Sequence, residues 1–169
     1  MTELESFWST VELYRNDMKF SSAHFTIFSA TDRERLHGHN YQVKTQVCAK
    51  MNEHGITYDY SITRKQVLVL CRSLNEYMLL PEYSPHLTIS KQDEFYKVIF
   101  DGQPMYFLQA ETRLLPIKNT TSECLAQWFV DQLTKDVSDL DDKHIRSLSV
   151  SVSTTVGQCS VANWHRDNS

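Results

Sequence analysis

No apolar run in this sequence is long enough to cross a bilayer. The longest, Val67 to Cys71, falls far short of the roughly 20 residues a spanning helix needs. No block of one charge sign is present either: 17 basic and 21 acidic residues are mixed along the chain, for a net charge of −4. Without a basic patch interleaved with aromatics, nucleic acid is not an expected partner. The four cysteines, Cys48, Cys71, Cys124 and Cys159, lie far apart with no Cys-X-X-Cys pair. No secretory leader is in view, so they read as reduced thiols of a cytoplasmic protein and not as a disulfide framework. Internal repeats and low-complexity segments are missing as well. A chain of 169 residues with 41% hydrophobic content suits one domain, 1–169, with a real core.

What is present is a concentration of histidine. In Arg33-Glu34-Arg35-Leu36-His37-Gly38-His39-Asn40-Tyr41 two histidines stand two residues apart, with a carboxylate three residues before the first. Residues i and i+2 of a strand share a face, so His37 and His39 aim into one volume. A metal site with room for a substrate wants a third ligand. His24 supplies it, at the end of the strand-like run Phe20-Ser21-Ser22-Ala23-His24. Three neutral imidazoles with an open position favour Zn²⁺, although the ligand set alone also suits iron, manganese or nickel. His54, His86, His144 and His165 have no comparable context.

Taken in order, residues 1–10 read as a loose lead-in, and a strand from Val11 runs to Phe25 with a break near Asn16-Asp17. Asn40 to Ala49 alternates as its pairing partner. His54-Gly55 predicts a turn, Ile56–Tyr60 a short strand, and Ser61–Leu74 a helix capped by Ser61 or Thr63. In that helix Ile62, Val69 and the polar pairs Lys65-Gln66 and Arg72-Ser73 recur with helical spacing. Residues 81–115 predict a hairpin excursion turning at Asp101-Gly102. Thr121–Leu133 reads as a second helix capped by Thr120 or Thr121. Ile145–Thr154 alternates strictly, and Cys159–Trp164 follows after Gly157. The expected subunit is α+β, an antiparallel sheet with two helices on one face. Its long open edges call for cover.

Phe20 to His24 followed by Glu34-Arg35-Leu36-His37-Gly38-His39-Asn40-Tyr41 resembles the 6-pyruvoyltetrahydropterin and 6-carboxytetrahydropterin synthase family. More narrowly, it resembles the branch with a glutamate at Glu-X-X-His-Gly-His and no cysteine upstream. The likeness continues through Tyr58-Asp59-Tyr60-Ser61, Leu79-Leu80-Pro81 with Tyr83-Ser84, Asn119-Thr120-Thr121-Ser122-Glu123 and Val150-Ser151-Val152-Ser153. It implies the tunnelling fold, with subunits joined edge to edge into an oligomeric barrel, a homohexamer. It also implies a small-molecule pterin substrate whose side-chain hydroxyls approach the metal.

On residue type alone Glu34 is a solvated charge between Arg33 and Arg35; the resemblance makes it the candidate general base. The glutamate branch implies cleavage of the side chain of 7,8-dihydroneopterin, or its triphosphate, to 6-hydroxymethyl-7,8-dihydropterin, a folate precursor. Two positions depart from the pattern. Leu74-Asn75-Glu76 stands where the family has Leu-Asp-His, which leaves Glu76 as a second candidate catalytic carboxylate. Thr154 stands where many members carry a pterin-gripping glutamate. Thr121, Ser122 and Glu123 are the other candidate substrate contacts, although an acidic residue belongs in the first turn of a helix in any case. Alternatives are 6-pyruvoyl- or 6-carboxytetrahydropterin synthesis, against which the missing cysteine counts for the first, and a pterin- or metal-binding relative without turnover.

Overall fold

The chain's structure, a computed structural model, describes residues 7–166. Two short strands, β1 (Trp8–Leu13) and β2 (Lys19–His24), run antiparallel to successive parts of one long strand, β3 (His37–Lys50). The break between them falls at the expected Asn16-Asp17, where Met18 N–H bonds back to Arg15 O at 3.0 Å and the Met18 side chain is fully buried. Residues 7–10, expected as lead-in, contain the start of β1, and residues 1–6 lie outside the described residues. In β3, Tyr41, Val43, Thr45 and Val47 are buried on one face, while Gln42, Lys44 and Gln46 face outward. Strict alternation is what a half-buried strand requires.

Helix α1 (Tyr60–Leu74) starts from Asp59, whose side chain accepts the Ser61 N–H at 3.0 Å. The expected caps Ser61 and Thr63 are inside the helix, with Thr63 buried against the Tyr58 hydroxyl at 3.0 Å. Its buried stripe is Thr63, Val67, Cys71 and Leu74; Ile62 and Val69 are exposed. Both stripes have helical spacing, so periodicity alone could not choose between them. The predicted strand at 56–60 does not form. Asn52 instead takes the His54 and Ile56 N–H groups on its side-chain oxygen, closing an Asx-type turn that leaves Ile56 exposed.

Two strands are unforeseen in the sequence. Strand β4 (Tyr77–Pro81) pairs parallel with β2, and β8 (Thr112–Leu115) pairs parallel with β4. Met78, Leu79, Leu80 and Pro81 are all buried, so no alternation marks the strand. The main sheet is therefore mixed, not purely antiparallel, in the order β10-β9-β3-β2-β4-β8 with β1 also on β3. Between β4 and β8 the expected hairpin is a separate three-stranded sheet: β5 (Thr88–Gln92), β6 (Phe95–Phe100) and β7 (Gln103–Leu108). Asp101 and Gly102, both at positive φ, make its tight turn.

Helix α2 (Ser122–Leu133) is capped by Thr121, which accepts the Cys124 N–H at 3.3 Å. A third helix not expected from the sequence, α3 (Val137–Asp142), is one short turn-and-a-half that buries only Leu140. It leads into β9 (Ile145–Thr155) and β10 (Gln158–His165). Phe20, Tyr41, Val43, Val150 and Val152 of the sheet meet Val67 and Leu74 of α1 and Leu125 and Phe129 of α2 in one core. Each such fully buried side chain contributes about 1.5–3 kcal/mol. A second, smaller core joins Phe25, Ile27, Met78 and Leu80 to Val98 and Phe100 of the inserted sheet. No helix among the described residues is long and apolar enough to cross a membrane.

Candidate metal centre and its carboxylate

The register of β2 against β3 creates the centre. His24 lies opposite His37 and Ser22 opposite His39. Gly38 faces Ala23, and a Cβ there would sit 3.3 Å from the Ser22 carbonyl oxygen. Glycine between the two histidines thus lets the strands close where their rings converge. The ligand atoms of His24, His37 and His39 lie within 4.8 Å of one another.

The hydrogen bonds around the rings settle which nitrogens point inward. Thr120 donates its hydroxyl proton to Phe25 O at 2.9 Å, so its oxygen is left to accept from His24 Nδ1, 3.4 Å away. His24 Nε2 is buried with no hydrogen-bond partner. His37 Nδ1 lies 2.8 Å from the Arg35 carbonyl, which can only accept. Its bare Nε2 then faces His39 Nε2 at 3.0 Å. Burial, reinforced by His37 and His39, pushes the His24 pKa down to about 4, so the ring is neutral at pH 7. Burial, followed by the His37 charge, also lowers the His39 pKa. The buried orphan nitrogen of His24 and the lowered pKa values of His24 and His39 fit a cation, since ligating imidazole must be unprotonated.

Glu34 stands beside this cluster. Its Oε2 is 3.9 Å from His37 Nε2 and accepts the Thr26 N–H at 2.9 Å. Its own N–H donates to Thr26 O at 2.8 Å. Burial alone would raise its carboxyl pKa; the hydrogen bond from the Thr26 N–H leads the interactions that outweigh it, holding the group below its ordinary value and ionised at neutral pH. Thr26 carries no sequence signal, because it acts through its backbone.

The remaining candidates are distributed. Glu123 sits at the start of α2 beside Ser122, whose hydroxyl is 2.7 Å from that of Ser160. The Glu123 backbone N–H leads the interactions that lower its pKa, ahead of those from Thr121, Ser122 and Ser160. Thr121 is occupied as the helix cap. Glu76 has positive φ, donates its N–H to Ser21 O at 2.6 Å, and lines a cavity of about 500 Å³ with His39, Tyr77 and Glu111. Asn75 accepts the Ser21 N–H at 2.9 Å, tying the end of α1 to β2. Thr154 lines a cavity of about 530 Å³ with Asn40, Gln42 and Cys159.

A curled mixed sheet backed by helices, with three histidines gathered at the start of its longest strand, defines the tunnelling fold of the pterin synthases. The chain belongs to the 6-pyruvoyl tetrahydropterin synthase family, whose model matches residues 12–163. It is similar to the 6-pyruvoyl tetrahydropterin synthase of Plasmodium falciparum, at 30% identity and a TM-score of 0.88 over 94% of this chain and 99% of that one. The Plasmodium vivax synthase gives 26% identity and a TM-score of 0.88, over 95% and 99% of the two chains. Two further structures of the vivax protein have a glutamate, described there as a catalytic residue, replaced by alanine or by cysteine. A protein of Methanocaldococcus jannaschii, provisionally named 6-carboxy-5,6,7,8-tetrahydropterin synthase, is 26% identical over 142 residues, 83% of this chain and 86% of its own.

Proposed function

We propose that this chain is a zinc-dependent lyase that cuts the side chain of 7,8-dihydroneopterin, or of its triphosphate, to release 6-hydroxymethyl-7,8-dihydropterin. The observation that carries the proposal is the Glu34 carboxylate, ionised and 3.9 Å from a ring nitrogen of the His24–His37–His39 cluster. The vivax relative, in which a glutamate is described as catalytic, supports the same choice of residue type.

His24, His37 and His39 hold the metal, which when bound supplies Lewis acidity to the side-chain hydroxyls. Thr120 and the Arg35 carbonyl fix the ring tautomers. Glu34 accepts the proton of the 2′-hydroxyl. The C1′–C2′ bond breaks, C2′ becomes the carbonyl of glycolaldehyde, and the bonding electrons pass into the pterin ring. Glu34 then returns its proton to C1′. Thr26 keeps the carboxylate ionised for the first step and aimed for the last. Glu123, with Ser122 and Thr121, grips the guanidine-like edge of the pterin, since one carboxylate can accept two parallel hydrogen bonds. Glu76 and Thr154 complete the pocket from further sides, Glu76 through the cavity it shares with His39. The chain works as one domain within a homohexamer whose sheet edges pair between subunits. It resides in the reducing cytoplasm, in keeping with four free cysteines.

The name of the Methanocaldococcus jannaschii relative favours a second reading, 6-carboxytetrahydropterin synthesis. Incubating the purified protein with dihydroneopterin and, separately, with its triphosphate decides between them. Hydroxymethyl-dihydropterin with glycolaldehyde, or its phosphorylated form, supports the lyase; a 6-carboxy or 6-pyruvoyl product overturns it. No product from either substrate leaves a binding protein.

A further inference from the structure

The loop that carries Glu34 has almost no core of its own. Thr26 and Glu34 exchange hydrogen bonds at its base, Ile27 bridges Arg33, and at the tip Asp32 O takes the Phe28 and Ser29 N–H groups at 2.9 and 3.1 Å. Two anchors hold this miniature hairpin from outside. On one side Asn119 takes the Ile27 N–H at 3.1 Å and donates to Ile27 O at 2.8 Å. On the other side is Arg33, which reaches into the inserted three-stranded sheet.

Arg33 is half-buried. Its guanidinium carbon lies 4.8 Å from the ring centre of Phe25, next to His24, and 5.5 Å from that of Phe100 on β6. One terminal nitrogen donates to Glu34 O at 2.8 Å, and the other meets Met105 Sδ of β7 at 3.3 Å. Arg33 forms no ion pair among the described residues. The cleft beside it, about 300 Å³, is not an anion site, because Asp32, Glu34 and Asp101 offset Arg33 and Arg35. Its environment is two aromatic faces, a sulfur and the backbone of the next residue.

We propose that Arg33 is a positioning residue for Glu34, and that the inserted sheet sets the carboxylate against the histidine cluster through it. This rests on the reading of Glu34 as the base. A planar guanidinium has two ends in fixed relation, so Phe100 and Met105 of the insertion fix the Glu34 carbonyl by way of Arg33. Lysine, a point charge on a flexible stem, can hold one end or the other. Residues 82–111 are thereby part of the site's support, although none of them need touch the substrate.

The test separates positioning from simple adhesion of the insertion. Arg33→Met, Arg33→Lys, Glu34→Gln and the double variant Arg33→Met with Glu34→Gln are compared in the metal-loaded protein. Hydrogen exchange over residues 25–36 is expected to quicken about tenfold or more in Arg33→Met at the Thr26 and Glu34 amides. Metal content and KM are expected to stay unchanged while kcat falls about 10–100-fold, the usual effect of a misplaced group. In the Glu34→Gln background the same Arg33 change should cost nothing further, and Arg33→Lys should recover less than half of the lost kcat. Met105→Ala, which leaves Arg33 in place, should move exchange and kcat in the same direction and serves if Arg33→Met does not fold. An equal fractional loss of kcat with and without Glu34 overturns the proposal, as does unaltered exchange in the loop. If the wild-type protein releases no pterin product, the reading of Glu34 fails, and the exchange arm still decides whether Arg33 holds the loop.

Discussion

His37 Nδ1 lies 2.8 Å from the carbonyl oxygen of Arg35, two residues before it in the chain. A carbonyl cannot donate, so the ring proton is on Nδ1 and Nε2 presents a lone pair toward His24 and His39. One local backbone contact thus selects the tautomer that a metal ligand needs.

The metal prediction follows from it. The native protein should carry about one zinc per chain by elemental analysis. His24→Ala, His37→Ala and His39→Ala should each leave little. Thr120→Val, which removes the acceptor facing His24 Nδ1, should weaken metal affinity about 10–100-fold. Equal metal in wild type and His37→Ala would remove His37 from the site.

Glu34 is tested by a change that keeps its size. Glu34→Gln retains hydrogen-bonding capacity and loses the base, so cleavage should fall by about two to four orders of magnitude with metal and pterin binding kept. A surface ion pair with Arg33 or Arg35 would be worth at most about 1 kcal/mol and would leave turnover nearly unchanged. Wild-type rates in Glu34→Gln would sink the mechanism.

Much of this site was legible in the sequence, for a physical reason. His37 and His39 announce themselves because a strand puts alternate residues on one face, and that spacing needs no knowledge of the fold. What could not be read were backbone roles: the Thr26 amide and the Arg35 carbonyl carry no residue-type signature. Strand β4 was hidden because burial on both faces erases alternation. The buried stripe of α1 could not be picked out because Ile62 and Val69 share the spacing of Val67 and Leu74. The long-range partnership of Arg33 with Phe100 and Met105 depends on a connection of more than sixty residues, which no local pattern reveals.

Assembly is the third expectation. Among the described residues β10 and β8 end the main sheet with unpaired edges, and exposed edges of that kind are covered in stable proteins. Light scattering on the eluting peak should give the mass of a hexamer. A monomer at working concentration would count against edge-to-edge pairing.

The last prediction concerns the cysteines and checks the core directly. Cys71 is 1% exposed on the buried face of α1, and burial, with the Asp17 charge as a lesser cause, pushes its thiol pKa up to about 12. Thiolate is the reactive form, so at pH 8 Cys71 is both protonated and out of reach. Cys159 is exposed on β10 and should be alkylated within minutes. Cys71 should react only as fast as the domain unfolds. Because the native thiol is held protonated, raising the pH from 7 to 9 should still leave Cys71 protected. Mass mapping after brief iodoacetamide treatment reads both sites in one sample. Phe129→Ala, which empties the centre of the same core at a cost of about 3–5 kcal/mol, should expose Cys71 to the reagent. Prompt labelling of Cys71 in the folded wild type would mean that α1 does not bury the Thr63–Val67–Cys71 stripe.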